Sequence, residues 1–143
     1  MSERQELIAT ATKWLSLWNT PVDWALFDSI HSETFEDCAS SGRPTTKQGF
    51  AQGLTQLARA FPDLRTTLQS LVIDEHSSTV AVRCSGRGTN AERFLEIGPT
   101  NRATEMTGIE IIQIPLAAAS EVPARIDRGG LGGKIVLLPW SAT

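Results

Sequence analysis

The chain has 143 residues, enough for one core, and its composition of 41% hydrophobic and 20% charged residues excludes a disordered or fibrous polymer. Its net charge of -3, with 13 basic residues scattered along its length, argues against a nucleic-acid surface, which needs Lys and Arg concentrated in a patch. The start MSERQELIATATKWL lacks the basic and then apolar run of a signal peptide, and no stretch is apolar enough to span a bilayer, so a soluble cytoplasmic protein is expected.

Ser2 followed by Gln5 has the form of a capping box, and Leu7, Ile8, Ala11, Leu15 and Trp18 recur on one helical face with Trp14 at its edge. This spacing predicts an amphipathic first helix of about four turns. Pro21 breaks the rhythm, and Asp23 is placed to cap a short second helix with Trp24, Phe27, Ile30 and His31 on one side. Thr34 to Cys38 reads as a short strand, followed by a turn-rich loop from Ala39 to Pro44. A third helix follows, capped by Thr45 or Thr46, striped by Phe50, Leu54, Leu57, Ala58 and Phe61, and stopped by Pro62. Gly49 and Gly53 would weaken it if exposed, so close packing against the sheet is their expected role.

From Leu64 the period becomes two. Leu64 to Ile73, Thr79 to Ser85, Phe94 to Ile97 and Thr104 to Ile114 read as strands of an antiparallel sheet separated by turns. Residues 115–133, rich in Ala, Pro and Gly, lack periodicity and read as a long irregular insertion, and Lys134 to Leu138 supplies a last strand ending near Trp140. Three helices and then a sheet of hairpins, without repeat or linker, make an α+β plan in one domain over residues 1–143.

Cys38 and Cys84 are expected as free thiols in small buried or pocket-lining positions. Neither His31 nor His76 has a ligand partner at helical offset, and no GxGxxG or P-loop opens a helix, so neither a metal nor a nucleotide cofactor is expected.

The segment Ala60-Phe61-Pro62-Asp63-Leu64-Arg65 resembles the FPDLR signature of SnoaL-like polyketide cyclases, and further pieces keep that family's order. Thr79-Val80-Ala81-Val82-Arg83 with Gly88-Thr89 is similar to its strand and GTH element, and Gly98-Pro99-Thr100-Asn101-Arg102 to its PTGR turn. Gly108-Ile109-Glu110-Ile111 is similar to its GIEIF strand, and Gly133-Lys134-Ile135-Val136 to its GKIV. The resemblance covers nearly the full chain and implies a nuclear-transport-factor-2-like fold, a cone-shaped curved antiparallel sheet wrapped around three N-terminal helices. It also implies ring closure on a polyketide-like substrate without a cofactor. Two departures stand out: Asn90 occupies the place of a histidine after Gly-Thr, and Leu137-Leu138-Pro139-Trp140-Ser141 replaces a Glu-x-Trp-Asp segment. An acid/base aspartate that some relatives place there therefore has no counterpart.

Asp63, between the helix stop and the first long strand, could point a carboxylate into the mouth of the sheet as general acid or base; its local alternative is a turn cap. Glu110 alternates with Met106, Gly108, Ile112 and Ile114, and burial there would raise its pKa toward the range that proton transfer at an enolisable carbon needs. The alternative for Glu110 is a salt bridge at the sheet surface. Arg83, beside Ala81, Ser85 and Arg87, could hold an enolate or carboxyl oxygen in bidentate fashion, or face solvent or a dimer partner. His31 has the intrinsic pKa for acid/base work, although histidines near helix ends are more often surface or capping residues. Trp14, Trp18, Phe27, Cys38 and Met106 are the candidate walls of an apolar cavity.

The leading expectation is an acid/base cyclase or isomerase in which Asp63 and Glu110 share one cavity and titrate apart, with Arg83 near. An epoxide-hydrolase-like reaction would need Asp63, Arg83 and Glu110 in mutual contact. A non-catalytic ligand-binding or dimerisation module is the rival from another class, supported by Asn90 and by the missing aspartate. Apolar residues on both sheet faces predict a homodimer through the outer one.

Overall fold

The capping box forms as the sequence predicts: Ser2 Oγ accepts the Gln5 N–H at 3.2 Å and Gln5 Oε1 accepts the Ser2 N–H at 2.9 Å. It opens α1 (Glu3–Ser16), whose Leu7, Ala11, Trp14 and Leu15 are buried. The computed structural model describes residues 2–38 and 40–115, together with the backbone of strands 134–137 and 141–142. Trp18 lies just beyond the C-cap Leu17 and still donates its backbone N–H to Leu15. The Asp23 carboxylate accepts from Leu26 N–H at 3.0 Å and starts α2 (Trp24–Ile30).

Thr46 caps α3 (Lys47–Ala60), its hydroxyl accepting from Gly49 N–H. The two glycines of α3 serve the preceding loop and not the sheet. A methyl at Gly49 would collide with the Pro44 carbonyl, and one at Gly53 with the Arg43 guanidinium, which itself donates to Gly49 O at 2.9 Å. The loop 40–44 thus folds back onto the helix, and only a residue without Cβ lets it approach.

The strand expected over residues 34–38 shortens to β1 (Glu36–Asp37). The sheet continues with β2 (Arg65–Asp74), β3 (Thr79–Thr89), β4 (Ala103–Gln113), β5 (Lys134–Leu137) and β6 (Ser141–Ala142), in spatial order β1-β5-β4-β3-β2 with β6 also on β4. All pairings among β2 to β6 are antiparallel, but β1 and β5 run parallel, so the sheet is mixed at that edge. The β2–β3 register slips between Leu68 and Ser70, a bulge of the kind that bends a sheet. The result is three helices on a curved, chiefly antiparallel sheet.

The core lies between helices and sheet, with Val80, Val82 and Ile112 from the strands and Ile114 just past β4 meeting Leu7, Trp14, Leu15, Phe50 and Leu54. Burying each such Leu, Val or Phe contributes roughly 1.5–3 kcal/mol, which is what holds short helices against the sheet. Phe94 to Ile97, expected as a strand, is instead a closed turn: Phe94 and Ile97 exchange backbone hydrogen bonds of 2.8 and 3.0 Å, with Leu95 at φ 55. Its apolar residues imitate a strand, yet Phe94 packs on Phe61 while Leu95 and Ile97 are exposed. Residues 116–133 and Trp140, which carry most of the expected insertion and the end of the last strand, lie outside the described residues. Among the described residues no helix is long and apolar enough to cross a membrane, and no group of three His, Cys, Asp or Glu is arranged to hold a metal.

Candidate active site

Alternation along β3 and β4 turns Cys84, Gly86, Met106 and Glu110 to the inner face, and the cross-strand register sets Cys84 opposite Gly108 and Gly86 opposite Met106. Glycines at these inner-face positions leave space where other strands carry side chains. A cavity of about 20 Å³ results, lined by these residues and by Thr107, Trp18 from the end of α1, Leu57 of α3, and Leu64 and Thr66 at the start of β2.

Glu110 lines this cavity and is 2% exposed, with Oε2 lacking a hydrogen-bond partner. Burial in an apolar wall disfavours the carboxylate and pushes its pKa up to about 8. Beside it, the Cys84 thiol lies 3.8 Å from Gly108 O, and its pKa is pushed up to about 12, first by burial and then by the Glu110 charge. A thiol held protonated in this way is a wall residue and not a nucleophile. Met106 is buried in the same wall, as expected. Trp18, 8% exposed, is fixed edge-on against Trp14 and Phe50 at 5.6 and 5.8 Å between ring centroids.

Asp63 does not reach the cavity. It is exposed, and its carboxylate accepts the Thr89 N–H at 2.7 Å and the Thr89 hydroxyl at 2.8 Å, bonds that lower its pKa. The carboxylate instead ties the start of β2 to the end of β3 across 26 residues, because Gly88, a methyl at which would lie 3.3 Å from Asp63 Oδ1, lets β3 pass that close. Arg83 is exposed too, since it alternates with buried Val82 and Cys84 and so emerges on the outer face beside Ser70 and Ile109. The contact set of Asp63, Arg83 and Glu110 that an epoxide-hydrolase-like reaction would need is not assembled.

His31 is neither a surface residue nor a cavity residue. It is 6% exposed, donates from Nδ1 to Phe27 O at 2.7 Å, and packs among the rings of Phe27, Phe35 and Phe50. Burial lowers its pKa against the opposing pull of the Phe27 hydrogen bond. Trp14 and Phe27 belong to the same aromatic core, each stacked on Phe50, and are absent from the described cavity walls. Cys38 is exposed, placed at the exit of β1 and not in the cavity wall.

Leu57, Leu64, Thr66, Gly86 and Thr107 are cavity residues that reading the chemistry-bearing side chains passed over. Their signal was glycine inside a strand, which marks a close approach or a gap. Asn90, standing where the family has histidine, is a clamp: 2% exposed, it accepts Thr100 N–H and donates to Glu92 O, both at 2.8 Å.

A family model described as SnoaL-like polyketide cyclase matches residues 8–117. No curated protein sequence matches the chain significantly. Among solved structures, TsrD from Streptomyces laurentii superposes with a TM-score of 0.70 at 18% identity, covering 95% of this chain and 87% of that one. IdmH from Streptomyces antibioticus gives 0.64 at 20% identity, covering 92% and 91%. A SnoaL-like polyketide cyclase from Agrobacterium tumefaciens str. C58 gives 0.61 at 18% identity, again covering 92% and 91%. Identities this low carry the fold alone, and the fold agrees with the helices and curved sheet described above. With the family match running over well more than half of its length, the chain belongs to the SnoaL-like polyketide cyclase family.

Proposed function

We propose that the protein is a cofactor-independent acid/base cyclase or isomerase that closes a ring on a polyketide-like intermediate, with Glu110 moving the proton. One observation carries this reading: Glu110, a residue of the cavity lining, is 2% exposed, with an unpartnered carboxyl oxygen and a pKa raised to about 8. A carboxylate made this basic by burial is strong enough to take a proton from a carbon flanked by carbonyls. With Asp63 outside the cavity, one carboxyl serves both halves of the reaction. Ionised Glu110 removes the carbon-bound proton, the resulting enolate attacks a second carbonyl to form the ring bond, and the new alkoxide recovers the proton from Glu110. The net proton count is zero, so no co-reactant is consumed. For lactone or pyrone closure the same carboxyl takes the proton of the attacking hydroxyl and returns it to the thiol or alcohol that leaves the substrate's acyl carbon as the ring C–O bond forms.

The test compares the metabolites of a host carrying the intact gene, a deletion, and Glu110→Gln, followed by turnover of the accumulated precursor by purified protein. Glu110→Gln keeps shape and loses proton transfer, so turnover should drop roughly a hundredfold or more. The rate of the parent protein should rise with pH through about 8 and then level, because the base must be ionised. Parent-like turnover by Glu110→Gln would end this assignment. The placement of Asp63 and Arg83 outside the cavity favours one other reading, a ligand-binding module without catalysis, which predicts tight binding of the precursor and no conversion.

A further inference from the structure

Glycine is required where the backbone is left-handed or where a neighbouring segment leaves no room for a Cβ. Gly42 and Gly98 have φ of 84 and 90. A Cβ at Gly49, Gly53 or Gly98 would collide with Pro44 O, Arg43 Nη1 or Asn90 Oδ1, and one at Gly88 would press on Phe61 Cβ at 3.2 Å. Gly86 meets neither condition. Its φ is not left-handed, and a Cβ there would find Leu64 Cδ1 at 3.4 Å, Thr66 Cγ2 at 3.7 Å and Arg65 O at 3.9 Å, which are ordinary van der Waals distances. It stands in the interior of β3, with Thr66 opposite on β2 and Met106 opposite on β4. A glycine there loosens the strand and packs nothing. What its missing side chain leaves is space, for Gly86, Leu64, Thr66 and Met106 all line the cavity.

We propose that Gly86 determines specificity by keeping open a nook for one methyl-sized apolar group of the substrate. The substrate class is then a polyketide-like molecule bearing a small apolar branch, an inference that rests on the substrate proposed above. A space of about 10–15 Å³ takes one water, so the cavity of about 20 Å³ takes one group slightly larger and excludes a ring. The surface it presents is apolar, and the Thr66 hydroxyl beside it is already spent on Asn19 Oδ1 at 3.1 Å. Water in such a space would give up hydrogen bonds, whereas a methyl gives up none and gains dispersion contacts with the walls. A methyl supplied by the protein at position 86 would compete with the substrate's for this room. Gly86→Ala therefore has two expected effects of opposite sign, a firmer fold and a weaker grip on the substrate.

The experiment uses the full-length protein and pressurised krypton, an apolar atom of about the girth of a methyl group, with helium at the same pressure as the blank. Met106 is one of two methionines, so its methyl resonance in protein made with isotope-labelled methionine reports on the cavity wall. In the parent that resonance should shift with krypton in a saturable way, and in Gly86→Ala the shift should be lost. The midpoint of thermal unfolding of Gly86→Ala should rise by roughly 1–4 °C. Its affinity for the precursor that the deletion host accumulates, read by tryptophan fluorescence, should fall by about tenfold, the scale of one lost methyl contact. No krypton shift in the parent, a shift that persists in Gly86→Ala, an unfolding midpoint at or below the parent's, or precursor affinity equal in the two would overturn the inference. Glu110→Gln should keep both krypton and precursor binding, which separates the two assignments. If the parent binds the precursor without converting it and Gly86→Ala binds it more weakly, the nook stands and the proton-transfer reading falls.

Discussion

At the scale of single residues, alternation set Glu110 among Met106, Gly108, Ile112 and Ile114 but could not say which face of the strand turns inward, since Ile109 and Ile111 make the other face nearly as apolar; the fold turns Glu110 inward, 2% exposed. The consequence for stability has a definite sign. The folded chain holds a proton on Glu110 up to about 8, whereas the unfolded chain releases it near the ordinary 4.5. Between these values the unfolded state binds fewer protons, so stability falls as pH rises and levels off above about 8. Each pH unit between the two values contributes about 1.4 kcal/mol, so the whole window amounts to several kcal/mol. Glu110→Gln has no proton to lose. Urea unfolding between pH 5 and 8.5, values chosen to span that window, should show a downward slope for the parent that is absent from the variant. Parallel slopes would mean that water or an unrecognised donor stabilises the ionised form.

At the scale of elements, the most conspicuous motif proved to be architecture. Phe61-Pro62-Asp63-Leu64-Arg65 joins α3 to β2, and every member has a partner: Phe61 meets Phe94, Pro62 O accepts the Thr20 hydroxyl, Asp63 holds Thr89, Leu64 O accepts the Thr20 N–H, and Arg65 donates to Thr20 O. Gly88-Thr89 is the other half of this joint. A methyl at Gly88 would lie 3.2 Å from Phe61 Cβ and 3.3 Å from both Asp63 Oδ1 and Leu64 Cα. Two motifs far apart in sequence thus mark one contact, which sequence reading could not see because pairing across 26 residues is a tertiary fact. Two results should follow. Gly88→Ala should destabilise the fold by about 1–3 kcal/mol as the joint is forced open, measurable by thermal or urea unfolding. Asp63→Asn should leave turnover of the precursor unchanged, and its melting temperature should lie at or below the parent's. A collapse of turnover with unchanged melting would return Asp63 to the chemistry.

At the scale of the molecule, the three helices and the long strands β2, β3 and β4 were legible because each follows from local periodicity and caps, whereas the spatial strand order, the parallel β1–β5 edge and the turn at Phe94–Ile97 depend on tertiary pairing. An apolar cavity was expected, but its place and most of its walls were not legible, since it arises where Gly86 and Gly108 on neighbouring strands coincide with the end of α1, and no single segment encodes that meeting. The same register exposes a pattern on the opposite face. Val72 pairs with Ala81 and Ala81 with Ile111, while Ile109 lies beside Arg83, and Val72 and Ile109 are 70% and 42% exposed. Antiparallel sheets commonly leave one face to water, but that face is then chiefly polar. An apolar stripe around one arginine fits a self-complementary surface, because a second copy related by a two-fold axis would present the same stripe to it. The expected outcome is a homodimer in sedimentation at micromolar concentration. Val72→Glu should shift it to monomer without changing the circular dichroism spectrum, since Val72 contributes little to the protein's own core. Turnover should survive the shift, because the cavity lies on the inner face. A monomeric parent, or a Val72→Glu variant that sediments as the parent does, would mean the outer stripe is simply solvated.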